Sequence, residues 1–102
     1  MAFSLGVWAQ GTASGGTVYR WEADQGESGT GFVLFDSGLR TIRPSDGRGV
    51  PLGSLVVDAA AGHATGDAEG VDRSLVLKVA AAILKAYSRS GDVPETAHAY
   101  YG

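Results

Sequence analysis

The chain has no cysteine, a single methionine, three prolines, and eight lysines and arginines against eleven aspartates and glutamates. Each shortage removes a class of function. Without cysteine there are no disulfides, no thiol catalysis and no thiolate zinc site. A small cysteine-free domain fits the reducing cytoplasm, which is the expected location. A net charge of −3 lacks the clustered cations that neutralise phosphates, so no nucleic-acid partner is expected. No apolar run approaches the roughly 20 residues that span a bilayer. The longest candidate, residues 75–87, is interrupted by Lys78 and Lys85. The first residues, MAFSLGVWAQG, lack the positive start of a secretory signal, so no membrane partner is expected either.

What remains suits one folded unit. The 102 residues, 44% hydrophobic and 19% charged, have room for a single domain with one modest core. Sixteen glycines imply many turns.

The stretch 72–91, DRSLVLKVAAAILKAYSRSG, is the one long periodic segment. At about 100° per residue, Ser74, Lys78, Lys85 and Arg89 form one stripe, and Val76, Ala80, Ile83 and Tyr87 lie opposite. The apolar arc is wider than the roughly 100° that a one-sided helix needs. Asp72 suits an N-cap, with Asp67 and Glu69 adding negative charge near it. Gly91 suits the C-terminal stop, and Pro94 prevents continuation.

Ahead of the helix the period is two. In residues 2–9, Phe3, Leu5, Val7 and Ala9 alternate with Ser4, Gly6 and Trp8. Residues 17–24 place Tyr19, Trp21 and Ala23 on one face and Val18, Arg20 and Glu22 on the other. The charged face belongs in water, so Tyr19 and Trp21 are expected inward. Residues 30–36, TGFVLFD, are apolar on both faces, the pattern of a central strand. A Ser37-Gly38 turn leads into a fourth strand at 39–43. Residues 54–61 fit either a strand or a short helix, and the tail 92–102 reads as flexible or folded back on an apolar edge. The expected fold is α+β: a four- or five-stranded, mainly antiparallel sheet packed against one long C-terminal helix.

Three groups could carry chemistry. Asp58, His63 and Asp67, with Glu69 and Asp72, are metal-ligand types in one glycine-rich stretch, but their spacing matches no metal loop. A metal-dependent enzyme built on 58–72 is one reading, and a solvated loop is the other. The 43–49 loop carries Arg43 and Arg48 among glycines, which suits an anion. It lacks the Gly-Lys-Ser/Thr ending of a P-loop, and Arg40 and Arg43 could equally pair with Glu22, Asp24 or Glu27 across neighbouring strands. Ser28, in GESGT, lacks the last glycine of a nucleophile elbow. No catalytic residue and no cofactor are expected.

The third group is aromatic and apolar. Trp8, Val18 and Phe35 fall opposite the inward faces of their strands or on a strand that is apolar on both sides, and exposed aromatics on a sheet are typical interface anchors. The sequence therefore points to a small non-enzymatic protein-interaction module of inhibitor, immunity or adaptor type. It is expected to bind a protein partner or to form a homodimer. An anion- or small-ligand-binding domain using the 43–49 loop is the alternative.

Overall fold

A period-two strand pattern buries one side of a sheet, and an amphipathic helix is the natural cover for that side. The computed structural model, which describes residues 3–13, 15–24, 29–59, 61–67 and 73–101, has this arrangement. The elements are β1 (Phe3–Ala13), β2 (Gly16–Ala23), β3 (Thr30–Asp36), β4 (Thr41–Ser45), β5 (Val56–Asp58), β6 (His63–Thr65), α1 (Arg73–Ser90) and β7 (Thr96–Tyr101). All seven strands form one antiparallel sheet in the order β6-β5-β4-β3-β2-β1-β7. Six consecutive strands make a meander, and the chain returns through α1 to place β7 on the free side of β1.

The α+β class with one covering helix is as expected, but the described residues form seven strands, not four or five. The helix is also not the last element. Residues 96–101, expected as tail, form edge strand β7, and the ambiguous stretch after residue 54 supplies β5 as a strand. The fourth strand begins at Thr41 rather than at residue 39. Residues 37–40 are all turn, the Asp36 carboxylate accepting from the Gly38 and Leu39 amides at 3.0 and 3.1 Å. Arg40 completes it with φ 54°, a conformation that L side chains seldom adopt.

The core lies between α1 and one face of the sheet. Leu5 and Val7 of β1, Tyr19 and Trp21 of β2, Val33 and Phe35 of β3 and Ile42 of β4 meet Leu75, Val76, Val79, Ala80 and Ile83 of α1, all buried. Register holds this face together: Val7 lies opposite Trp21, Tyr19 opposite Val33 and Phe35 opposite Ile42. Trp21 lies flat over Gly31, where a methyl group would meet its ring at about 2.9 Å. Phe35 packs edge-on against Tyr87, ring centroids 5.4 Å apart. The helix stops where expected: Gly91 has φ 77°, and its N–H donates to the Tyr87 carbonyl at 2.8 Å. The N-cap assigned to Asp72, and Glu69, lie outside the described residues. Among the described residues no helix is long and apolar enough to cross a membrane.

Candidate interaction surface

Among the described residues no helix lies on the other face of the sheet, and the residues that the alternation sends there set its chemistry. They are Ser4, Gly6 and Trp8 from β1, Val18, Arg20 and Glu22 from β2, Phe32 and Leu34 from β3, Arg43 from β4, and His98 from β7. The registers Trp8 with Arg20, Gly6 with Glu22 and with His98, and Arg20 with Phe32 bring them side by side.

Half of this face is covered by the chain itself. A bulge between Ala9 and Gly11 shifts the β1 register, so that Ala13 points to the same side as Val18 and Leu34. The 46–50 turn folds over these three. Gly49 comes so close that a Cβ there would lie 2.9 Å from Ala13 Cβ and 3.2 Å from Val18 Cγ2, and its φ of 83° also favours glycine. Gly47 lies over the Phe32 ring. Beneath this turn Val18 is 3% and Leu34 7% exposed. The excess apolar surface of β3 is thus absorbed internally, by α1 on one side and by the turn on the other.

The turn is organised by a carboxylate. Asp46 Oδ1 accepts from the Arg48 and Val50 amides at 2.8 and 3.0 Å. The Asp46 N–H donates to the Val50 carbonyl at 3.0 Å, and the Gly49 N–H to the Asp46 carbonyl at 3.1 Å. The amide donors from Val50 and Arg48 hold the Asp46 carboxyl below its ordinary pKa. The Arg48 N–H, one of the groups that made 43–49 a candidate anion cradle, therefore already holds an anion belonging to the chain, and the Gly49 N–H is taken by a carbonyl. Arg48 is on the outside of the turn, exposed. Arg43 lies on β4 beside Leu34, its Nε buried without a hydrogen-bond partner. Of the alternative partners for Arg40 and Arg43, Glu22 is paired instead with Arg20, at 3.4 Å, and among the described residues no ion pair joins either arginine to Asp24; Glu27 and Ser28 lie outside the described residues.

Of the candidate metal residues, Asp58, His63 and Asp67 are among those described. Asp58 and His63 face each other across the β5–β6 hairpin, and Asp58 Oδ1 accepts from the Ala61 amide at 3.0 Å. Asp67 uses its backbone, its carbonyl accepting from the Ser54 and Leu55 amides at 2.9 and 3.0 Å. Among the described residues no three histidine, aspartate or glutamate side chains come together as a metal site.

The other half of the face is open and centres on Trp8. Its indole lies back along β1 over Gly6, where a Cβ would come within 2.6 Å of the ring. His98 meets it edge-on, with centroids 6.1 Å apart and planes at 81°. The Arg20 guanidinium sits 5.9 Å from the ring centroid, within cation–π range, while its other contact is Glu22. Beside the ring is a cleft of about 530 Å³ lined by Ser4, Gly6, Trp8, Glu22, Asp24 and His98 among others. Of the three residues singled out as interface anchors, Trp8 alone is accessible here. Phe35 is 1% exposed under α1, and Val18 lies under the turn. Glycine at position 6 and His98 were the partners that sequence reasoning missed. The pairing of β7 with β1, which brings His98 in, has no local signature.

Compared with protein-family models, with curated proteins and with solved structures, the chain gives no match.

Proposed function

We propose that this chain is a small protein-interaction module that self-associates, of inhibitor, immunity or adaptor type, and that it acts through the open half of its sheet. The observation that carries the reading is Trp8. It is a large aromatic, partly exposed on the face opposite α1 and fixed in place by Gly6, His98 and Arg20. Braced aromatics of this kind lose little side-chain entropy on docking and dominate interface energetics. The carboxylates of Glu22 and Asp24 beside it favour a partner that brings cationic or N–H donor groups to the cleft.

Fluorescence separates the two tryptophans. Trp21 is 1% exposed, so a neutral aqueous quencher reports on Trp8. The expected result is one quenchable population in dilute protein that Trp8→Phe removes, with sedimentation showing association as concentration rises. A strict monomer at millimolar concentration with neither tryptophan quenchable contradicts the reading.

A further inference from the structure

The two edges of the sheet are built differently. At one edge β6 is three residues long and is bracketed by Gly62 and Gly66, with φ of 77° and 87°. Such a short, bent edge offers little to another strand. At the other edge β7 runs for six residues, TAHAYY, with no proline, lysine, arginine or carboxylate. None of the usual devices that blunt an edge is present in it.

Hydrogen-bond parity shows which groups that edge presents. The Ala9 N–H donates to the Glu95 carbonyl at 2.8 Å, and on the far side of β1 the Asp24 N–H donates to the Ser4 carbonyl at 2.9 Å. In an antiparallel ladder every second residue bonds to the same neighbour. Ala97 and Ala99, opposite Val7 and Leu5, therefore bond to β1. Thr96, His98 and Tyr100 direct their N–H and C=O groups outward.

We infer that the outer edge of β7 is a strand-pairing site for a second copy of this chain, joining two seven-stranded sheets antiparallel about a two-fold axis at His98. This rests on the self-association proposed above and places it at the sheet edge, leaving the Trp8 face for a protein partner. The occupant is a second copy because the strand is complementary to itself. With His98 opposite His98 of the second copy, Thr96 falls opposite Tyr100 in both directions, and every outward N–H meets an outward C=O. On the core side Ala97 falls opposite Ala99, so the small side chains that flank α1 meet without a clash. No carboxylate, lysine or arginine in the strand opposes the pairing. The Tyr19 hydroxyl donates to the Pro94 carbonyl, holding the segment that leads into β7 and so the edge itself. In such a dimer both helices lie on one side, and both Trp8 clefts open on the other.

The test uses proline at outward positions, where it removes an N–H that β1 does not use. Sedimentation equilibrium of the full chain is compared with His98→Pro, Thr96→Pro and His98→Ala, with circular dichroism as the check on folding. The expected result is a wild-type dimer, retained in His98→Ala. Each folded proline variant should weaken it by roughly thirtyfold or more, the factor implied by losing two amide hydrogen bonds of ordinary net strength. A dimer that survives in a folded proline variant overturns the edge and leaves self-association standing. A dimer lost in His98→Ala assigns the contact to the side chain and overturns backbone pairing. Unfolding by both prolines contradicts the outward parity on which the inference rests. A wild-type monomer at all concentrations overturns the edge and self-association together.

Discussion

Tyr19 and Gly6 show how single residues position the surface. Tyr19 is fully buried under α1 with its hydroxyl on the Pro94 carbonyl, and burial pushes its pKa from 10.0 up to about 12. Because the folded value is the higher one, the stability tied to the neutral phenol is complete below pH 10 and is lost as pH rises from 10.0 to about 12. Tyr19→Phe should lose about 1 kcal/mol near neutrality and should show a shallower fall across that alkaline window. Urea denaturation of both chains at neutral and alkaline pH measures each effect. At Gly6 a side chain would collide with the Trp8 ring. Gly6→Val should therefore displace the indole and change the quenchable fluorescence while leaving Trp21 emission in place. The inward set, Leu5, Val7, Tyr19 and Trp21, was legible from alternation alone, and so was Trp8 on the opposite face. The glycine seat was not, because close approach of a ring two residues along the same strand leaves no mark in composition.

At the scale of elements, the helix was the most legible part, since its apolar period and its glycine stop are both local signals. Ile83 is wholly buried against the sheet, and Ile83→Ala should cost about 2–5 kcal/mol, read from a denaturation midpoint. The 46–50 turn shows what local signals leave out. Proline, glycine and Ser-Asp-Gly identify a loop, but its folding back across Val18 and Leu34 depends on the β1 bulge and on Asp46 occupying its own N–H groups. The Asp46 carboxyl is held low, so its contribution is present above its ordinary pKa of 3.8 and is lost as pH falls through the lowered value. Asp46→Ala should speed hydrogen exchange at the Arg48 and Val50 amides and increase solvent access to Val18 and Leu34. Unchanged exchange at both amides would remove the carboxylate from its organising role. The two-residue displacement of β4 has a similar origin, because Arg40 in a left-handed conformation carries no glycine or asparagine signal.

For the whole molecule, the decisive feature is where the chain goes after the helix. Residues 96–101 lack a long apolar alternation, and their partner in β1 lies at the opposite end of the sequence. Pairing over that separation is set by the space left beside β1 once the meander and α1 are in place. It supplies His98 to the Trp8 cleft and leaves one long uncharged edge on a sheet whose other edge is short and bent. The apolar surplus that suggested a partner from sequence is largely consumed within the chain, and the case for association now rests on Trp8 and on that edge. Amide hydrogen exchange resolved by residue, followed as a function of protein concentration, tests this most directly. The account predicts that Ala97 and Ala99 are protected at every concentration, whereas Thr96, His98 and Tyr100 exchange freely in dilute protein and become protected as the chain associates. Free exchange at Thr96, His98 and Tyr100 in protein that has demonstrably associated would contradict it.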